Sequence, residues 1–258
     1  MTDLAEILAL FDREQRRDIE FPGMRKDVLP GLVRFVRPAP GMSFILYSDL
    51  DETTADAVIE DQLAYFNGKE LSFEWKVFAH DQPPDLVDRL VARGFQIEEP
   101  DDIMVLDVDR ANPVISGRPG FTVRRLSHPE ELVDVVRVLE PVWEKDFNWV
   151  YERLGTNMTI PGYLSVYVAY FGEQPACVGW VYFSPGQFGS LWGGSTLERF
   201  RGHGLYSAVL TARILEAKER GIRYLTIDAG KMSGPIVAKH GFEIITRATA
   251  CEWIHMSQ

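Results

Sequence analysis

Cysteine is scarce in this chain: two occur in 258 residues, Cys177 and Cys251. That leaves no disulfide framework and no cysteine-based zinc pattern. The five histidines show no metal-ligand spacing, so no metal is expected. No apolar run approaches the roughly 20 residues of a membrane span. Positive charge is also short, with 27 Lys and Arg against 38 Asp and Glu and a net charge of -11. An acidic balance argues against a general nucleic-acid binder. Residues 1–17 are acidic and amphipathic, unlike a basic-then-apolar signal peptide. These absences lead to an expectation of a soluble, cytoplasmic protein without nucleic-acid or membrane partners. What is present is ample apolar material, 46% of residues, enough for one large core or two small ones.

Periodicity and turn residues place the elements. In the first half, Leu4, Ile7, Leu8 and Phe11 recur at helical spacing after a Thr2 or Asp3 cap, and Pro22-Gly23 stops the helix. Strands are predicted over 32–36, 43–48, 73–79 and 103–108, and helices over 53–66 and 84–92. Residues 111–119 hold two prolines and little apolar content, which reads as a linker. In the second half, a strand at 121–126 precedes helices at 128–144 and 145–157. Strands follow at 163–171, 176–184, 189–196 and 222–228, with a helix at 205–220 and a short one at 233–240. Two closing strands are expected, 242–250 and 251–255. Strands come both as hairpins and around helices, so a mixed sheet is expected.

The most informative stretch is Arg199-Phe200-Arg201-Gly202-His203-Gly204, between a predicted strand and the helix beginning at Leu205. The first N–H groups of a helix have no intrahelical partner, and the dipole adds partial positive charge there. Such a turn is an anion site. Gly202 and Gly204 let the backbone approach a phosphate, and Arg199 and Arg201 can add charge-assisted hydrogen bonds.

The chain also echoes itself. Placing Gly94-Phe95 on Gly241-Phe242, a shift of 147 residues, aligns five elements without a gap. Strand–helix–Gly-Phe–strand is a common order, yet an ungapped match of this extent favours a duplication, with domains at 1–112 and 118–258. Under the shift, Arg199, Gly202 and Gly204 fall on Glu52, Ala55 and Ala57. The first half carries carboxylates where the second carries arginines and glycines, so only the second is expected to bind an anion.

The motif Arg199-x-x-Gly202-x-Gly204, between strand and helix, resembles the acyl-CoA signature of the GCN5-related N-acetyltransferases. The element order from about Phe121 to the end, including Gly241-Phe242, is similar to that family's. The whole chain resembles its tandem members, whose N-terminal half lacks the signature. The resemblance implies two tandem mixed α/β (α+β) domains, each a mostly antiparallel sheet flanked by helices. It implies acetyl-CoA as co-substrate, with its pyrophosphate on the backbone of Phe200, Arg201, Gly202, His203, Gly204 and Leu205. Trp192, Gly193 and Gly194 would meet the pantetheine arm where the signature strand splays. Two successive glycines also suit a bulge. The acceptor would be a primary amine of a small molecule or peptide, and the assembly a monomer or homodimer. Two residues frequent in the family are missing: an Asn and a proton-donating Tyr, whose places fall near Gly230 and Val237.

Acetyl transfer needs a polarised carbonyl, a neutral amine and close positioning. Asp228, at a strand end, is a candidate base, although a helix cap is the favoured reading because Asp81 recurs at its place in the first half. Tyr206 is a candidate acid, or a packed amphipathic side chain. Glu144 and Asp146 could receive the amine, or form a solvated helix face. Trp143, Phe147, Trp149 and Tyr151 could line an acceptor pocket, with core packing favoured. His203 reads as a surface turn residue and His240 as a helix C-terminal charge.

Two rivals remain. Gly202-x-Gly204-x-x-Ser207 with Asp228 resembles a dinucleotide fingerprint, but one strand–helix–strand unit is too little for a doubly wound sheet. A non-catalytic acyl-CoA sensor or interaction module is the other. The asymmetry of the halves predicts one CoA bound per chain in isothermal titration; two equivalent sites would contradict it.

Overall fold

The computed structural model describes residues 3–38, 41–111 and 120–255, so the expected linker lies, beyond Ala111, outside the described residues. Asp3 caps the first helix, accepting from the Ala5 N–H at 3.0 Å, and α1 (Leu4–Phe11) runs on into a π-helical turn, Asp12–Arg17. Then come β1 (Arg25–Leu29), β2 (Leu32–Val36), β3 (Ser43–Ser48), α2 (Ala55–Asn67), β4 (Phe73–Phe78), α3 (Leu86–Val91), β5 (Gln96–Ile97) and β6 (Asp101–Asp107). After β7 (Phe121–Arg125), a 3-10 turn leads into α4 (Val133–Trp143) and α5 (Trp149–Met158). The chain continues with β8 (Leu164–Phe171), β9 (Gln174–Phe183), β10 (Phe188–Thr196) and α6 (Leu205–Glu219). It closes with β11 (Tyr224–Ala229), α7 (Gly234–Ala238) and β12 (Glu243–Trp253). Two strands were not expected, and two expected ones are a single strand. β1 and β5 are exposed strands without the apolar alternation that reveals a strand, and the two closing strands are one, β12.

The chain divides into two compact units. The first comprises Met1–Ile103, Ala229–Lys231 and Ile244–Gln258; the second comprises Met104–Asp228 and Met232–Glu243. These are not the contiguous stretches 1–112 and 118–258, because β12 belongs to the first unit and most of β6 to the second. The two strands occupy corresponding places under the 147-residue shift, so sequence alone does not assign either to a sheet.

In the first unit the strand order is β1-β2-β3-β4-β12, with β5 also on β12. Only β3 and β4, joined through α2, run parallel. Its core packs Ile59 and Phe66 of α2 against Ile45, Phe73 and Trp75, and all five are fully buried. In the second unit the order is β6-β11-β10-β9-β8-β7. Here β7 to β10 are antiparallel neighbours, and β10 and β11, joined through α6, run parallel. β9 is buried on both faces, with Val178 and Trp180 in the cluster under α4 and α5 and Cys177 under α6. The mixed, mostly antiparallel sheet flanked by helices is as expected.

Asp81 does not cap a helix. It accepts two hydrogen bonds from the buried Arg16, at 2.7 and 2.8 Å, and one from the Phe78 N–H at 3.0 Å. Losing one partner of such a buried pair typically costs about 3–5 kcal/mol, so Asp81 is explained by stability.

Carboxylates stand just before α2 and in its first turn. Asp51 accepts from the N–H groups of Thr53 and Thr54 at 2.8 and 2.9 Å, and Asp56 pairs with Arg89 and Arg93. A carboxylate of the chain already satisfies these donors. Hydrogen bonds from Thr53 and Thr54 hold the Asp51 pKa down to about 2. A depressed carboxylate stabilises the fold above its unfolded pKa and loses that effect as pH falls through the folded one. Asp51→Ala should therefore be less stable than the parent above about pH 4, with the difference closing towards about pH 2; urea unfolding across that range checks it.

Candidate functional site

β10 and β11 part company at a defined point. Their parallel pairing runs from Phe188 opposite Tyr224 to Leu191 opposite Ile227 and ends there. The next residues, Trp192 and Asp228, therefore stand where the strands diverge. On its other side β10 bulges against β9. Trp192 pairs with Trp180 and Ser195 with Val178, so Gly193 and Gly194 oppose the single Gly179. Gly193 has φ +66°, and a Cβ there would lie 1.8 Å from the Trp180 ring. A Cβ at Gly194 would lie 2.6 Å from the Tyr206 ring. The bulge thus exists because both positions lack side chains, with an aromatic ring against each face.

The turn after β10 is held by its apolar residues. Phe200 stacks on Phe171 with centroids 5.3 Å apart, and Leu205 is buried. Gly202 and Gly204 adopt φ +78° and +84°, and no atom lies within 4 Å of where a Cβ would be. They are required for backbone conformation, and they leave open space. Gly204 is the N-cap of α6, so no side chain caps the helix, and its first turn holds no acidic residue. The first intrahelical bond is Ala208 N–H to Gly204 O, which leaves the N–H groups of Leu205, Tyr206 and Ser207 ahead of the ladder. Arg199 lies over the Phe200 ring, and Arg201 Nε donates to Thr196 O at 3.4 Å. Both arginines are exposed, and neither pairs with a carboxylate among the described residues. His203 is an exposed turn residue as expected, its Nδ1 3.0 Å from Arg201 O. Donors, dipole and two cations converge, the reverse of the arrangement at α2.

The other sequence candidates fall as follows. Asp228 lies near the end of β11, five residues before Ser233, the N-cap of α7, whose own side chain makes no cap hydrogen bond. The Tyr206 ring is packed beneath β10, and burial holds its hydroxyl above the usual tyrosine pKa. Glu144 is the exposed C-cap of α4, in left-handed conformation at φ +53°, unusual for a non-glycine residue. Asp146 accepts from the Asn148 N–H and so shapes the turn between α4 and α5. The favoured core reading of the aromatics is corrected, since Trp143 is 51% exposed and Trp149 and Tyr151 are also exposed. Only Phe147 packs on the core. Trp143 Nε1 donates to Ser195 Oγ at 3.0 Å, which brings the α4–α5 junction to the end of the bulge, where Trp192 is 48% exposed. Val237 is fully buried where the family Tyr would fall.

His240 is not a helix C-terminal charge. Burial lowers its pKa, so it is neutral at pH 7, and Nε2 meets Ser207 Oγ at 3.1 Å. The corresponding pair in the first unit, Arg93 and Glu60, is an ion pair at 2.7 Å. Both contacts join the same two positions under the 147-residue shift. One residue escaped the sequence reading altogether. Arg213 of α6 is fully buried beneath the bulge, and the available signal was a lone arginine in the apolar run from Val209 to Ile214. No three His, Cys, Asp or Glu side chains among the described residues gather as a metal site.

Gly193→Ala should destabilise the second unit, because a left-handed φ and an overlap with Trp180 coincide. Strain of this kind costs about 1–3 kcal/mol. Urea unfolding checks it, and parent-like stability would show that the bulge relaxes freely.

No family model matches the sequence, and no curated protein matches it. Solved structures do match. A GCN5-related N-acetyltransferase from Kribbella flavida is 15% identical, with a TM-score of 0.69 over 96% of this chain and 93% of that one. A functionally unknown conserved protein from Staphylococcus epidermidis ATCC 12228 is 14% identical, with a TM-score of 0.68 over 93% and 97%. A tandem GNAT protein from the clavulanic acid biosynthesis pathway is 16% identical, with a TM-score of 0.61 over 92% and 85%. The strand divergence, the bulge and the uncapped helix after it thus stand in a chain with the fold of the GCN5-related N-acetyltransferases.

Proposed function

We propose that the protein is an N-acetyltransferase that moves an acetyl group from acetyl-CoA to a primary amine by direct attack. The observation that carries this reading is the uncapped, acid-free start of α6, directly after the strand whose edge is released beyond Leu191. The backbone of residues 200–205 would hold the pyrophosphate, with Arg199 and Arg201 adding charge. Trp192, Gly193 and Gly194 present peptide groups beyond the last β10–β11 pair, suited to the amides of a pantetheine arm. Bound acetyl-CoA supplies the acyl group as an activated thioester.

The remaining chemistry falls to the chain. Glu144 and the exposed Trp143 and Trp192 offer a carboxylate and apolar faces for an amine. Asp228, at the divergence of the strands, would take a proton from it. Tyr206 stays protonated at neutral pH and so can donate one to the departing thiolate. The first unit, with Asp51 and Asp56 at the matching helix start, is read as a degenerate copy that binds no CoA.

The sensor reading is favoured by one observation, the buried Val237 in place of the family Tyr. Thiol release from acetyl-CoA over a panel of amines separates the two. Release stimulated by an amine is expected; CoA binding without any stimulation would leave the sensor. Replacing Arg199 and Arg201 together with Ala should raise the acetyl-CoA Kd about tenfold, with a smaller effect at high salt. An unchanged Kd would remove the phosphates from this turn.

A further inference from the structure

Arg213 is 0% exposed, and no carboxylate pairs with it among the described residues. Its Nε donates to Val209 O at 3.3 Å on its own helix. Its Nη1 donates to Trp180 O at 3.2 Å and meets Trp192 O at 3.5 Å, one carbonyl from each strand of the bulge. Nη2 is buried without a hydrogen bond of ordinary geometry, and the groups that feel the charge are the Tyr206 hydroxyl, which also has a hydrogen-bonding interaction with the guanidinium, the Cys177 thiol and the Tyr167 hydroxyl. Gly179 makes the room, since a Cβ there would lie 3.0 Å from the guanidinium carbon.

Burying a cation without a carboxylate is costly, and the fold does not require it. Under the 147-residue shift Arg213 falls on Phe66 and Gly179 on Leu32. Both are fully buried members of the first unit's core. The same helix and strand positions are therefore filled by apolar packing in the unit that carries Asp51 and Asp56 around its helix start. The cation accompanies the anion turn and the glycine bulge.

We propose that Arg213 is a positioning residue that polarises the Trp192–Gly193 peptide and so strengthens the Gly193 N–H as a donor to an acyl carbonyl. The peptide is trans, so its C=O and N–H point in opposite directions. With Trp192 O turned towards the guanidinium, the Gly193 N–H is aimed away from it. A cation on the carbonyl end of a peptide draws charge from the N–H end, and low dielectric amplifies the effect. This inference rests on the acetyl-CoA reading, and it assigns a charge source to a strand edge that otherwise offers only neutral amides.

The test uses the full-length protein, Arg213→Met and Arg213→Lys. The first readout needs no ligand: the Gly193 amide proton resonance should move upfield in Arg213→Met and less in Arg213→Lys. The second is the infrared carbonyl band of bound acetyl-CoA carrying 13C at the acetyl carbonyl. It should be red-shifted in the parent, return towards the free position in Arg213→Met, and remain largely shifted in Arg213→Lys. With a turned-over amine, kcat should fall about tenfold in Arg213→Met while the acetyl-CoA KM stays within about twofold. Arg213→Met should melt no lower than the parent, because an apolar side chain replaces an uncompensated charge. If it does not fold, Arg213→Gln carries the test: an upfield amide resonance and a band near the free position support the proposal, and parent-like values overturn it. Unchanged resonance and band in a folded Arg213→Met would overturn it. Failure of the parent to bind acetyl-CoA would instead overturn the cofactor reading, a separate and visible outcome.

Discussion

The bulge at Gly193 and Gly194 is the constraint on which the second unit's site depends. Two residues of β10 oppose one of β9, and aromatic rings close on both faces of the resulting step. Side chains at either position would collide with Trp180 or Tyr206, so the step and its packing stand or fall together. Beyond Leu191 the strand has left β11, which turns backbone groups normally spent on a ladder into groups available to a ligand. Cooperation among neighbouring features follows: Ser195 at the end of the bulge receives Trp143 from α4, and Tyr206 from the first turn of α6 lies beneath Gly194. The α4–α5 junction, the strand edge and the start of α6 are tied to one local distortion.

The two helix starts show how little sequence is needed to reverse a site's electrostatics. Just before α2 the Asp51 carboxylate takes the N–H groups of Thr53 and Thr54, and arginines pair with Asp56 in its first turn. At α6 a glycine is the cap, the first turn holds no acid, and two exposed arginines have no carboxylate partner among the described residues. The backbone offers the same dipole in both cases. Whether it is used internally or left for a ligand depends on a handful of side chains. The contrast extends inward, where Arg213 in one unit answers to Phe66 in the other, so charge in the second unit is organised through the depth of helix and sheet.

Much of this was legible in the sequence. β2 and β3 match their expected bounds because a short apolar-rich run is bounded by turn residues in each. The glycine turn was legible because Gly202 and Gly204 serve backbone conformation, a local requirement. The need for glycine at 193 and 194 was visible as a bulge signal, although the rings that enforce it come from Trp180 and Tyr206. β1 and β5 were missed because exposed edge strands carry no apolar pattern. His240 looked like a terminal charge because its local sequence cannot report the burial that keeps it neutral. The aromatics at 143, 149 and 151 looked like core, since composition cannot say which face of a helix junction is covered.

The sequence by itself determined the order of the elements that carry an apolar pattern, the conformations of the glycine turn and the opposite charge of the two helix starts, because these depend on residues close together in the chain. Only the tertiary structure decided which sheet β6 and β12 complete, that Asp81 serves Arg16, and that an arginine in mid-helix lies under the bulge. Each of those depends on partners distant in sequence. The free energy of burial, pairing or strand addition is set by what surrounds a residue, and its neighbours in the chain carry no record of that.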